Sequence, residues 1–220
     1  EVSTEQTFFD SNRSLRTAQE LARLYPDREI GSEDAEGAVA WLTGKLDSLG
    51  LAYSQEESLV PFGQGRVTVR NVWVVLPGGS TDTILISASR DPSADPELSA
   101  LAQAAPTALL VEMIQVLADR QREKTLVLLS SEGSSQGGLG LSAFLRSYEE
   151  RDRIKAALSV QALGMEGRTY LYAGVTGPGA TSPGWLVDTC TRALARVNLD
   201  LRVPNLQEQV AGQALRLFSG

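Results

Sequence analysis

Three short apolar runs, spaced by stretches of helical character, constrain this chain more than any other feature. Residues 83–88 read Thr-Ile-Leu-Ile-Ser-Ala, 125–129 read Thr-Leu-Val-Leu-Leu, and 156–160 read Ala-Ala-Leu-Ser-Val. Runs this short, apolar at successive positions and bounded by turn residues, suit strands buried on both faces of a sheet. Between the first two lies a mostly apolar stretch, 98–117, of helical length, in which Pro106 marks a kink or a restart. Between the second and third, a glycine-rich turn at 133–140 leads into a helix through Phe144, Leu145 and Tyr148. This alternation predicts an α/β domain: a three-layer α/β/α arrangement around a mixed, largely parallel central sheet. Function in such sheets gathers at the carboxyl ends of the strands. Here those ends are Ser89, Arg90 and Asp91, then residues 130–136, then residues 161–164.

The flanking segments extend the pattern. Phe8, Leu15, Ala18, Leu21, Ala22 and Leu24 recur at near-helical spacing, and Pro26 ends that helix. Ser32 is a suitable N-cap for a second helix, with Ala38, Trp41, Leu42, Leu46 and Leu49 on one face and Gly50 placed to close it. Residues 67–76 are rich in β-formers and end at the turn Pro77-Gly78-Gly79. Residues 169–173 read as a further strand and 185–197 as a further helix. With 42% hydrophobic residues there is material for one sizeable core, so residues 1–220 are expected to form a single domain. The start at Glu1 and the apolar segment 214–218 just before Gly220 are read as cut points in a longer protein, with the domain shortened at its C-terminus.

Composition then excludes chemistry. The chain has no histidine. Histidine is the commonest general base near neutral pH and the commonest zinc ligand, so Ser-His-Asp and Cys-His triads are absent from these residues. The net charge of -7 argues against nucleic acid as a partner. One cysteine, Cys190, rules out an intrachain disulfide and is expected to pack among Val187, Leu194 and Val197.

The order of the motifs resembles the co-catalytic dizinc exopeptidases, a family that includes secreted bacterial aminopeptidases, glutamate carboxypeptidase and the transferrin receptor ectodomain. The residues that carry the resemblance are Arg28-Glu-Ile-Gly-Ser32 before a helix ending at Leu49-Gly-Leu51, Arg70-Asn-Val72 in a strand that ends at Pro77-Gly78, and the strand 84–91 ending Ser-Arg-Asp. To these are added the helix through 108–118, the strand and turn of 126–141, and the strand 158–164 that ends in glycine. The resemblance covers about residues 12–200 and implies a zinc-exopeptidase-like fold.

The same resemblance implies a metal centre whose ligands are missing. In the family, two zinc ions share a bridging aspartate, each takes a histidine and a carboxylate, and a further glutamate is the general base. Aligned position by position, the first histidine falls on Ser89, while the neighbouring aspartate survives as Asp91. The bridging aspartate falls near Leu101, with Asp95 and Glu97 the nearest carboxylates. The Glu-Glu pair falls on Ser134 and Ser135, with Glu132 three residues before Ser135, and the later aspartate falls on Gln161. The final histidine would lie at or beyond Gly220. Serine hydroxyls and a glutamine amide do not balance a divalent charge, so no metal and no other cofactor is expected. Ser89, Asp91, Glu132, Ser134, Ser135 and Gln161 are the expected lining of a degenerate cleft.

Two local patterns invite other chemistry. Gly133-Ser-Ser-Gln-Gly137 fits a nucleophile elbow with Ser135 as nucleophile, but lacks a histidine base, so a glycine-rich turn is the simpler reading. Gly138, Gly140 and Ala143 match a dinucleotide fingerprint placed too far from the strand end, so close helix packing is the simpler reading. Asp91 beside Arg90 could bind a ligand's amine, but a helix cap or loop salt bridge is the simpler reading, and Trp73 and Trp185 read as core or sheet-cover residues. Residues 174–184, rich in Gly, Pro and Thr, read as a mobile loop and contact surface near the cleft.

These readings combine into an expectation of a non-catalytic, peptidase-like domain that binds or scaffolds a protein or peptide. Its expected setting is extracytoplasmic or at a bacterial cell surface, held to a membrane by segments outside these residues. The peptidase-like subunit of the GPI transamidase is the functional analogy. The alternatives are a metallo-aminopeptidase with displaced ligands drawn from Asp91, Asp95, Glu97 and Glu132, and a serine hydrolase using Ser135.

Overall fold

The three apolar runs form the middle of one sheet. In the computed structural model, residues 8–92, 98–160, 171–172, 184–196 and 201–202 are described, and the chain divides into two compact units, Glu1–Met165 and Glu166–Gly220. The first unit runs α1 (Ser11–Leu24), α2 (Glu33–Ser48), β1 (Ser54–Phe62), β2 (Gly65–Leu76), β3 (Ser80–Ser89), α3 (Ala100–Ala118), β4 (Lys124–Ser131), α4 (Leu139–Ser147), a 3-10 turn (Arg151–Arg153) and β5 (Ile154–Val160). The strand order is β1-β2-β4-β3-β5. The pairs β4–β3 and β3–β5 are parallel, while β1–β2 and β2–β4 are antiparallel, so the sheet is mixed as expected.

Helices cover both faces. On one, Leu42 and Leu46 of α2 and Leu110, Val111 and Ile114 of α3 pack on Val72, Val74, Leu76, Ile86, Ala88 and Leu128. On the other, Phe144 of α4 packs on Leu85, Val127 and Leu129, with Trp73 edge-on to its ring at 5.2 Å. Helix α1 lies outside α3 and α2, with Ala18 and Leu21 buried against Ala38, Ala104 and Ala108. Burial of this apolar surface is the main drive for the fold.

Local signals set the element ends. The Ser32 hydroxyl accepts the Ala35 N–H and caps α2, and Gly50, with φ 66°, takes the left-handed turn that closes it. Helix α3 is capped by Ser99 and runs without interruption through Pro106, which is buried, so the restart expected there does not occur. The packing of α3 between α1 and the sheet offsets the hydrogen bond that proline cannot make. At its other end, Arg122 donates to the carbonyls of Leu117, Ala118 and Pro77. Strand β1 has no counterpart in the sequence reading, and its single buried side chain, Val60, explains why.

The second unit contains β6 (Leu171–Tyr172) paired in parallel with β7 (Leu201–Arg202), and α5 (Gly184–Ala195). Trp185 is exposed, against its expected role as a cover residue. Cys190 is half-buried, and desolvation pushes its thiol pKa up, which suits an inert side chain.

Candidate functional site

Strands β3 and β4 run parallel and in register, with Ser89 opposite Ser131. The residues one step beyond, Arg90 and Glu132, therefore emerge side by side. Their side chains are each about 1% exposed and form an ion pair, with Arg90 Nη2 donating to Glu132 Oε1 at 2.8 Å. The same guanidinium donates to Ser130 Oγ at 2.9 Å and to the Arg70 carbonyl at 2.7 Å, so it joins β3, β4 and β2. The second Glu132 oxygen accepts the Arg70 N–H at 3.0 Å.

Asp91 turns the other way. Its carboxylate accepts the Ser134 N–H at 3.0 Å and the Ser135 N–H at 3.4 Å, and both serine hydroxyls lie 3.3 Å from Oδ2. The local Arg90–Asp91 pair expected from the sequence gives way to these two longer-range sets of contacts. Alternation along the chain explains the change: successive residues leave a strand end toward opposite sides.

Arg28, from the segment between α1 and α2, is fully buried against this centre. It donates from Nε to the Arg90 carbonyl at 2.9 Å and from Nη1 to the Tyr25 carbonyl. Burial pulls its pKa below the ordinary arginine value, with Asp91 and Asp34 acting against that pull. Arg70 sits at the rim, where burial is more than offset by its hydrogen bond to Glu57 and by Glu132 and Glu36, leaving its pKa raised. The Glu36 and Glu57 pairs also wall an open groove of about 440 Å³ between α2 and β1.

Of the residues singled out from sequence, the structure brings Asp91, Ser134 and Ser135 into contact and places Ser89 and Glu132 at adjoining strand ends. Ser89 is nearly buried, and its carbonyl accepts the Thr107 hydroxyl at 3.0 Å. Gln161, Asp95, Glu97 and the 174–183 loop lie outside the described residues. Sequence reasoning missed Arg28 and Arg90 as members of the centre. The available signal was two opposite charges, each just past a buried strand.

Ser135 is exposed and donates to Gln136 Oε1 at 2.8 Å. Residues 132–138 separate β4 from α4, so Ser135 does not stand on a tight strand-to-helix elbow. Gly138 is the N-cap of α4, and Gly140 and Ala143 are buried in its packing face, as the close-packing reading expects.

A zinc ion needs several lone-pair donors converging within about 2.0–2.3 Å. The described centre offers the reverse. Both Glu132 oxygens are engaged by N–H groups, Asp91 is held by the 134–135 turn, and the buried Arg28 Nη2 and Arg90 Nε are donors with no acceptor. A cation entering here would meet N–H groups, and among the described residues no three His, Cys, Asp or Glu side chains come together. The described residues do not fit the metal.

The chain is similar to a glutaminyl cyclase from an Acidobacteriales bacterium (16% identity, 93% of this chain and 76% of that one, TM-score 0.72). It is equally similar to a leucine aminopeptidase precursor from Bacteroides thetaiotaomicron (13% identity, 94% and 81% covered, TM-score 0.72). A Zn-dependent exopeptidase from Parabacteroides distasonis follows the same fold (11% identity, 95% and 82% covered, TM-score 0.70). No curated protein sequence matches the chain. The Peptidase family M28 profile matches residues 71–205, well over half of the 220 residues, and the chain belongs to Peptidase family M28.

Proposed function

We propose that this chain is a non-catalytic M28 domain that binds or scaffolds a protein or peptide, as the extracytoplasmic part of a larger, membrane-associated bacterial protein. The observation that carries the reading is the Arg90–Glu132 pair. Glu132 is the one glutamate near the expected general-base position, and it is buried and neutralised by an arginine. A base must be free to take a proton from a reacting group, and a zinc ligand must offer a lone pair to the metal.

The metallo-aminopeptidase alternative draws on Asp91 and Glu132 among the described residues, and both already accept hydrogen bonds from the protein. The serine hydrolase alternative leaves Ser135 with a carboxylate and an amide as neighbours and no imidazole. Ser89, Asp91, Glu132, Ser134 and Ser135 then belong to a remodelled cleft whose exposed edge is the 134–136 turn, and Gln161 joins them on the sequence reading alone. Membrane attachment and the cell-surface setting rest on the sequence reading alone.

The deciding experiment purifies the full-length gene product, measures its zinc content, and assays aminopeptidase activity and cyclisation of N-terminal glutamine. Neither stoichiometric zinc nor turnover is expected. Zinc at one or two per chain, with activity abolished by a chelator, would overturn the proposal. Labelling of the wild type by a fluorophosphonate that is lost in Ser135→Ala would replace it with the hydrolase reading.

A further inference from the structure

We infer that the Arg90 guanidinium supplies, from within the chain, the counter-charge that the buried Glu132 carboxylate would otherwise need from a cation, so that this strand-end centre holds together without a metal. The inference rests on the metal-free part of the reading above and adds a role for Arg90 that the loss of ligands alone does not give.

Position is the first support. Arg90 lies between Ser89, where the family resemblance places a histidine, and Asp91, where it places an aspartate. From its place just past β3, its head group reaches acceptors on β4, on the residue after β4 and on β2. What it gathers differs in kind. A carboxylate, a hydroxyl and a backbone carbonyl suit a fork of N–H donors.

Charge is the second. Arg28, Arg90, Asp91 and Glu132 are 0, 1, 2 and 1% exposed. Among the described residues, these four fully buried side chains carry two positive and two negative charges. A buried carboxylate without a counter-charge is strongly unfavourable. Without Arg90, Glu132 would be in that state, and the ion pair relieves it.

Architecture is the third. Arg28 holds the Arg90 carbonyl from the α1–α2 segment, and Arg70 offers its N–H to Glu132 from β2. The arginine thus ties together segments far apart in sequence.

The test compares thermal unfolding of the wild type, Arg90→Met, Glu132→Gln and the double variant, each with EDTA and with added zinc. The wild-type melting temperature is expected to be the same in both. Each single variant should melt lower, by on the order of 10 °C for a domain of this size, because each leaves one buried charge unpaired. The double variant should lose clearly less than the two singles combined.

A second arm keeps the question open to refutation if Arg90→Met folds poorly. Arg90→Ala should regain stability in millimolar methylguanidinium, saturably, while Arg90→Ala with Glu132→Gln should not respond. Additive losses in the double variant, or no methylguanidinium rescue of a folded Arg90→Ala, would overturn the inference while leaving a metal-free, inactive protein as proposed. A fall in wild-type melting temperature on chelation overturns it directly. Zinc with peptidase activity defeats the functional proposal, whatever the coupling between Arg90 and Glu132.

Discussion

Arg13 holds Glu112 through two parallel hydrogen bonds, Nε to Oε2 and Nη2 to Oε1, each 2.6 Å long. Glu112 is 2% exposed in the middle of the apolar α3, and it also accepts the Asp10 N–H at 2.8 Å. One carboxylate therefore docks both the start and the first turn of α1.

Arg13→Ala leaves that buried carboxylate with the Asp10 N–H alone. The expected cost is about 2–3 kcal/mol, discounted because the Arg13 end is one-third exposed. Arg13→Lys should cost less, since it keeps the charge and loses the fork. Urea unfolding of the three proteins measures this, and a loss below about 0.5 kcal/mol in Arg13→Ala would show that the pair does not secure α1.

Gly140→Ala tests how closely α4 sits on the strand end. A Cβ there would lie 2.4 Å from the Glu132 carbonyl oxygen and 2.9 Å from Asn71 Oδ1. The nearest atom is backbone, so α4 must move, at an expected cost of about 2–3 kcal/mol. Gly44, inside α2, has open space around the same atom. Gly44→Ala is expected to stabilise by about 0.5–1 kcal/mol, because it removes only the entropy cost of a helical glycine. The two substitutions should thus have opposite signs in one chemical-denaturation series.

Asp91→Ala should loosen the 134–135 turn without unfolding the sheet. The turn's two N–H groups lose their acceptor, and Arg28 loses the carboxylate that most strongly supports its charge. Amide hydrogen exchange at Ser134 and Ser135 is expected to accelerate at least tenfold, while exchange in β3 and β4 follows global stability. Asp91→Asn keeps one oxygen as acceptor and should fall between. Unchanged exchange at both amides in Asp91→Ala would remove Asp91 from its role as the turn's anchor.

These contacts show which parts of the molecule are legible in sequence. Strands β3 and β4 announce themselves because both faces are covered and their central runs, 84–86 and 126–129, are apolar at every position. Edge strand β1 does not, because Glu57, Leu59 and Phe62 face solvent and Pro61 breaks the pattern. It is found only through pairing, as when Glu57 meets Arg70 across the ladder. Ser89, Ser134 and Ser135 are singled out in the sequence only through family resemblance. The Arg90–Glu132 pair is not, because its partners are 42 residues apart and Asp91 is adjacent in sequence. Only the parallel register that sets Ser89 against Ser131 makes neighbours of the next residues along.

The cluster of Glu20, Lys45 and Trp41 predicts a pH effect with a defined sign. Lys45 Nζ donates to Glu20 Oε2 at 2.7 Å, and Trp41 Nε1 donates to Oε1 at 3.1 Å. The lysine hydrogen bond, partly opposed by burial and aided by the indole N–H, holds the Glu20 pKa below its ordinary 4.5. A carboxyl whose folded pKa lies below its unfolded value contributes stability above the unfolded value and loses it as pH falls through the folded one. Glu20 and Lys45 are each about one-third exposed, so the contribution is small, about 0.5 kcal/mol at neutral pH. Wild type should therefore exceed Glu20→Gln in stability at pH 7. The difference should persist to pH 5 and vanish below pH 4.5 as the carboxyl protonates, with Trp41 fluorescence shifting over the same range in wild type only. A gap that widens on acidification would mean that Glu20 is not held ionised by Lys45.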